Sequence, residues 1–225
     1  MDLFPQNTPD MPVLLLPDSP FPDVALSDQD GLLAIGGNLK VTTLLEAYRK
    51  GIFPWYNENE PICWYSPDPR FVLFPGELLV SRSMQAVIRK GIFSFSMDRD
   101  FEGVIRGCRQ VKRSYGSGTW ITGDIENAYV GLYREGFAHS AEAWQGNELA
   151  GGLYGVRLGR VFFGESMFSL KTNASKFAFI RTVQELQRQG VQLIDCQVYT
   201  THLESLGGRF IPRAQFLELL ARLST

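Results

Sequence analysis

Residues 159–179, "GRVFFGESMFSLKTNASKFAF", change rhythm partway along. The first half is rich in aromatic and β-branched residues, as a strand is, and the second repeats apolar residues at helical spacing. In "NASKFAFIRTVQELQRQG", Asn173 stands where a cap belongs, Phe177, Ile180, Val183 and Leu186 line one face, and Gly190 stops the helix. The next apolar run, "VQLIDCQV", is a short strand, so the segment makes a β–α–β unit whose strands should run parallel. Upstream, "AHSAEAWQ" and "ELAGGLYGVRL" give two more strands, punctuated by Gly146-Asn147 and Gly159-Arg160, both hairpin signals.

Further out, "FSFSMD" reads as a strand followed by a helix through "FEGVIRGCRQV" and a second helix ending near Gly136. "PRAQFLELLARL" is a terminal helix with Pro212 at its first turn. Strand, two helices, three meandering strands, helix, strand, helix is the order of a GNAT-type acyltransferase fold. The first 70 residues differ, reading as Pro- and aromatic-rich loops around one helix, "VTTLLEAYRKG", with Thr42 or Thr43 near its start and Gly51 closing it. The turn-rich "SPDP" is a seam. The expected class is therefore α+β: a small N-terminal domain over 1–69 and a GNAT-like domain with a mixed central sheet over 70–225.

Glu165 stands inside the aromatic run, and burying a carboxylate costs several kcal/mol unless it is hydrogen-bonded or charge-paired. Strand alternation puts Val161, Phe163, Glu165 and Met167 on one face and Phe162, Gly164, Ser166 and Phe168 on the other. It likewise puts Asp195 and Gln197 on one face of the following strand. Ligands bind beyond the carboxyl ends of such parallel strands, where Glu165, Asp195 and Gln197 fall. Two readings stand: polar contacts lining an apolar pocket, or struts in which Glu165 and Asp195 pair with Arg or Lys. Gly164 inclines toward the first, since a strand glycine marks a bulge or a close ligand approach.

Composition sets outer bounds. At 225 residues, 44% hydrophobic and 20% charged, the chain is an ordinary globular protein. No apolar run approaches the roughly 18–20 residues of a membrane span, and "MPVLLLP" follows no basic region, so it is no signal peptide. Cys63, Cys108 and Cys196 form no C-x-x-C and leave an odd thiol, which suits a reducing cytoplasm. The net charge of −2 argues against a general nucleic-acid coat. Locally the picture differs. From Arg82 to Arg113 eight basic residues face three acidic ones, and in a helical "RSMQAVIRK" Arg82 and Arg89 share a face beside Lys90. A solvated helix face and a small phosphate footprint are both compatible with that. Ser166 lacks a G-x-S-x-G context, two histidines and scattered thiols give no zinc spacing, and "GGLYG" and "IGGN" lack dinucleotide or P-loop spacing.

Taken together, "GLLAIGGNL", "YRKGIFPWY", "WYSPDPR", "SRSM", "GTWIT", "AHSAEAW", "GGLYGV", "FFGESMFS", "NASK", "LIDCQV" and "SLGGRFIPR" closely resemble the leucyl/phenylalanyl-tRNA–protein transferases over residues 31–213. The resemblance implies a monomeric cytoplasmic enzyme that moves Leu or Phe, and Met less well, from aminoacyl-tRNA to the N-terminal Arg or Lys of a protein. That marks the acceptor for N-end-rule degradation, without acetyl-CoA, ATP or any other cofactor or metal. By motif match Asp195 and Gln197 are the catalytic pair, and Glu165 lies beside the aminoacyl group. Trp55, Trp120 and Tyr129 contact the tRNA 3′ end, and Phe162 walls the aminoacyl pocket. Phe162, Phe168 and Met167 would set side-chain preference, and since Phe162 and Phe168 alternate away from Glu165, a bulge at Gly164 is needed for all four to meet. Arg82, Arg89 and Lys90 would meet tRNA phosphates. Leu153, where the family commonly has Met, and Thr200, where Asn is frequent, depart from the pattern. Two rivals remain: a CoA-dependent N-acetyltransferase, which needs a basic glycine-rich turn where this chain has "SLKTNASK", and a non-catalytic module capturing basic N-termini.

Overall fold

The computed structural model describes residues 12–110 and 121–224. It opens with a small sheet. β1 (Val13–Leu15) runs parallel to β2 (Leu32–Gly36), and after α1 (Val41–Arg49) come β3 (Phe53–Pro54) and β4 (Cys63–Tyr65), in the order β1-β2-β4-β3. The expected helix is present, and Gly51, at φ +72°, closes it. Thr42 and Thr43 lie in its first turn, as expected; the helix starts after Lys40 with no side-chain cap, and Thr43 Oγ1 bonds Asn38 Oδ1 at 2.8 Å. The four strands escaped the sequence reading because runs of two to five residues carry no measurable period.

The large sheet holds the rest. In chain order it comprises β5 (Arg70–Leu73), α2 (Arg82–Arg89), β6 (Ser94–Met97), α3 (Phe101–Gln110), α4 (Gly123–Arg134), β7 (Ala138–Gln145), β8 (Glu148–Leu158) and β9 (Val161–Ser169). Then come α5 (Ala174–Arg188), β10 (Leu193–Gln197), α6 (Thr201–Glu204), β11 (Arg209–Ile211) and α7 (Arg213–Leu223). The seven strands lie in the order β11-β5-β10-β9-β8-β7-β6. β6 to β9 form an antiparallel meander whose β7–β8 and β8–β9 hairpins turn at Gly146 (φ +60°) and Gly159 (φ +53°). β10 returns parallel to β9, and β5 lies antiparallel on its other side. The sheet is mixed, as the α+β GNAT-like order requires. Asn173 precedes α5 in the left-handed region (φ +71°) without any side-chain bond to the helix start, so it shapes the turn rather than capping the helix.

Two apolar layers sandwich this sheet. Phe177, Ala178, Ile180 and Val183 of α5 pack with Met84 of α2 on one face. Phe101, Val104 and Ile105 of α3 and Ile125 and Leu132 of α4 pack on the other. This second layer is continuous with Leu33 and Trp64 of the small sheet and Leu44 and Tyr48 of α1, across the seam expected at residues 69/70. No helix among the described residues is long and apolar enough to cross a membrane.

Candidate active site

β9 and β10 pair in parallel only as far as Asp195↔Phe163, and beyond that point each strand breaks its alternation. On β9, Gly155 pairs with Gly164 and Tyr154 with Ser166, which leaves Glu165 as the extra residue of a bulge. Gly155 is obligatory opposite it, because a Cβ there would stand 2.2 Å from the Phe163 carbonyl oxygen. The bulge reverses the phase of everything that follows. Met167 joins Phe162 on the α5 side, and both line a cavity with Glu165. Phe168 joins Phe163 on the α3 side, where its ring fills the space over Gly107. Phe168 therefore does not reach the cavity, contrary to the expectation that a bulge would gather all four residues: one inserted residue turns 167 inward and 168 outward.

On β10 the break is a register shift between Asp195 and Gln197, with Gln197 at φ +64°. Ile194, Cys196 and Gln197 line the cavity and Asp195 does not, which corrects the reading of Asp195 and Gln197 on one face. Asp195 is instead a strut. Arg70, at the start of β5, gives it two charge-assisted bonds of 2.8 and 2.7 Å, and both side chains are at most 1% exposed. The Arg70 guanidinium is sandwiched between the rings of Phe53 and Phe216, each 4.7 Å away. Asp195 Oδ1 also accepts the Gln197 backbone N–H at 2.9 Å, pinning the residue in its left-handed conformation.

So held, Gln197 sends its Nε2 to Glu165 Oε1 at 2.8 Å. The Tyr48 hydroxyl of α1 lies 2.8 Å from the same oxygen, and the Tyr129 hydroxyl of α4 lies 2.8 Å from Oε2. Burial raises the Glu165 carboxyl from 4.5 to about 7 despite these three partners, and the nearby Asp195 charge adds to the rise. Burial also drives both phenols well above their ordinary range, with Glu165's charge as the second cause.

The cavity measures about 510 Å³, the size that takes a small ligand. Leu153, Phe162, Met167, Phe179 and Val183 make its apolar wall. Thr200 and Leu153, the two departures from the family pattern, both line it. Cys196 lines it too, with its thiol pushed far up by burial, and so offers an apolar surface rather than a nucleophile.

The remaining candidates are dispersed. Trp55 is 44% exposed, with Tyr65 at 5.7 Å as its ring neighbour, and does not line the cavity. Tyr129 is fully buried, so it has no face to offer a nucleotide and serves as a partner of Glu165. Trp120 lies outside the described residues, as do Lys112 and Arg113. Arg82, Arg89 and Lys90 are exposed at the two ends of α2 and make no ion pair among the described residues, whereas Arg106 and Arg109 pair with Glu102 and Glu126. Tyr48 and Arg70 were missed. Tyr48 continues the apolar stripe of Leu44 and Leu45, and a phenol on a buried face needs a partner. Arg70 opens the apolar run "RFVLF" and is the cation that a strut at Asp195 demands.

Parted parallel strands, an apolar cavity beyond them and an amide–carboxyl pair at its edge make a site that can seat a small, largely apolar group against a few polar contacts. A profile described as leucyl/phenylalanyl-tRNA protein transferase matches residues 72–221, and one for that family's N-terminal domain matches 37–68. The chain belongs to the leucyl/phenylalanyl-tRNA–protein transferase family. It is 56% identical to the protein of that name from Anaeromyxobacter sp. (strain K) over 94% of this chain and 91% of that one. It is likewise 56% identical to that of Syntrophobacter fumaroxidans, over the same shares of the two chains. Among solved structures, a GCN5-related N-acetyltransferase from Kribbella flavida aligns at a TM-score of 0.41 and 10% identity, over 75% of this chain and 54% of that one.

Proposed function

We propose that this protein transfers leucine or phenylalanine, and methionine less well, from aminoacyl-tRNA to the N-terminal Arg or Lys of an acceptor protein, marking it for N-end-rule degradation. The observation that carries the reading is the state of Gln197. Its Nε2 is spent on Glu165, which leaves its carbonyl oxygen as the free end of a side chain on the cavity wall. In the reaction the acceptor's α-amine attacks the ester carbonyl, a C–N bond forms and the bond to the ribose oxygen breaks. The ester is already activated, so the chief need is to position the amine, which can supply roughly 7–11 kcal/mol of the barrier. An α-amine has a pKa near 7.7–8.0, so roughly 10–20% of it is neutral and nucleophilic at about pH 7. Gln197 Oε1 accepts an N–H of that amine and aims its lone pair. The amine's proton leaves with the ribose oxygen or through water, since Asp195 is fully buried, ion-paired with Arg70 and does not line the cavity.

Asp195 thus acts as a positioning residue for Gln197. Glu165 takes the α-amino group of the aminoacyl moiety, while Phe162, Met167 and Leu153 surround its side chain. Such a wall separates Leu from Ala well and Leu from Met poorly, since a methylene is worth about 1–3 kcal/mol. Trp55 and Trp120 are proposed to stack on the terminal nucleotides, at about 1–3 kcal/mol per base. The CoA reading is disfavoured because Lys171, the one cation of the β9–α5 link, is paired with Glu148. Pure protein, leucyl-tRNA and an Arg-initiated peptide should yield a peptide one leucyl residue heavier. Gln197→Ala should slow this at least tenfold with little change in melting temperature. A peptide of unchanged mass with wild-type protein would leave a capture module as the better reading.

A further inference from the structure

Three oxygen–oxygen contacts close a ring at the base of the cavity. Glu165 Oε1 lies 2.8 Å from the Tyr48 hydroxyl, that hydroxyl 2.5 Å from the Tyr129 hydroxyl, and that one 2.8 Å from Glu165 Oε2. Each contact needs one proton between its oxygens. The two phenols carry two. With Glu165 ionised, both phenolic protons can point at the carboxylate, and then the shortest contact brings two lone pairs together with no hydrogen between them. Alternatively one phenol turns to the other, and one 2.8 Å contact with the carboxylate is left with no proton between its oxygens: Oε2 loses its donor if Tyr129 turns, and Oε1 keeps Gln197 Nε2 alone if Tyr48 turns. A third proton on the carboxyl satisfies all three contacts at once. Gln197 Nε2 also reaches Oε1, so that oxygen is the better acceptor and the proton belongs on Oε2.

We propose that Glu165 stands neutral in the empty cavity, its Oε2–H donating to Tyr129, Tyr129 to Tyr48 and Tyr48 back to Oε1, and that it gives up this proton to water when the α-ammonium of the aminoacyl group arrives. The second half rests on the function proposed above. The charges around Glu165 agree with the first. Tyr48 faces it from α1, Tyr129 from α4, and Gln197 and Asp195 from β10, with Tyr154 of β8 behind the two phenols. The one full negative charge among them, Asp195, is matched by Arg70 of β5, and no cation among the described residues forms an ion pair with Glu165. A buried carboxyl without a counter-ion takes up a proton instead. Burial lifting it to about 7, with both phenols pushed still higher, leaves the carboxyl as the group of the three that titrates near neutrality. The step conserves charge: neutral Glu165 plus an ammonium gives a carboxylate–ammonium pair plus one proton in water. Tyr48, on α1, is by this account a positioning residue that sets how readily the amine is captured.

The test has two readouts. Infrared difference spectra of the free protein at about pH 6 should contain the C=O band of a protonated carboxyl that titrates away toward pH 8 and is missing from Glu165→Gln. Calorimetry in buffers of different ionisation enthalpy, with the amide-linked 3′-leucylamino analogue of adenosine as probe, should show release of about one proton per ligand at about pH 6, falling steeply toward pH 8. Glu165→Gln should release none. Absence of the band in free wild-type protein at about pH 6 overturns the proposal, as does binding of the probe without proton release. A band with no probe binding at all supports the neutral ring and overturns instead the aminoacyl reading from which the discharge follows.

Discussion

At the scale of the residue, Glu165 carries a cost of folding that depends on pH. Its carboxyl rises from 4.5 to about 7 because burial outweighs three hydrogen-bond partners. A group whose folded value is raised contributes stability that is complete below the unfolded value and is lost as the pH rises through the folded one. The distance between the two values corresponds to about 3 kcal/mol, given up between about pH 4.5 and 8. Glutamine in its place imitates the protonated acid, since its Nε2 can donate to Tyr129 while its Oε1 accepts from Tyr48 and Gln197, and it has nothing to ionise. Urea unfolding of wild type and Glu165→Gln across this window should therefore show the variant gaining about 3 kcal/mol relative to wild type as the pH rises. Parallel curves would mean that Glu165 titrates as an ordinary surface carboxylate.

At the scale of the element, the site is where two strands stop obeying their period. Alternation in "RVFFGESMF" and "LIDCQV" located Glu165, Asp195 and Gln197 at the carboxyl ends of parallel neighbours, because those facts follow from order and spacing. Gly164 hinted at the bulge, and the bulge is there. The side each residue finally faces was not legible, since a bulge moves the phase by one and Gln197 adopts φ +64° with no glycine to announce it. Nor could spacing show that Arg70, 125 positions away, would arrive beside Asp195. The substrate came from whole-motif resemblance, not from periodicity. What Asp195 does can be isolated from what it stabilises. Asp195→Ala alone orphans a buried guanidinium and should cost about 3–5 kcal/mol. Replacing both partners, Arg70→Met with Asp195→Leu, removes two buried charges together and should restore most of that stability. Leucyl transfer should stay at least tenfold down in the double variant, because nothing then holds the Gln197 N–H. Recovery of the rate along with stability would reduce Asp195 to a packing strut.

At the scale of the whole molecule, the cavity is lined by the large sheet and the helices on it, and the N-terminal elements support its polar residues from behind: Tyr48 of α1 bonds Glu165, and Phe53 of β3 backs Arg70, which holds Asp195. A net charge of −2 gives such a molecule no general pull on RNA, so a tRNA partner has to be held by a local surface. α2 is the best candidate among the described residues. Arg106 and Arg109 are engaged by Glu102 and Glu126, whereas Arg82, Arg89 and Lys90 make no ion pair and stand in solvent. Met84 anchors the helix in the apolar layer beneath α5, so charge reversal on its exposed side should not disturb the fold. Each phosphate contact contributes a release of counter-ions, so affinity falls with salt with a slope proportional to the number of contacts. Arg82→Glu combined with Arg89→Glu should weaken use of leucyl-tRNA at least tenfold at low salt and flatten its salt dependence by about two contacts' worth of slope. Transfer from a small leucyl ester of adenosine, which carries no phosphate backbone, should proceed at the wild-type rate. Equal losses on the two donors would place the tRNA elsewhere on the surface and trace the defect to the fold, whereas a selective loss with an unchanged salt slope would make α2 a shape contact rather than a phosphate one.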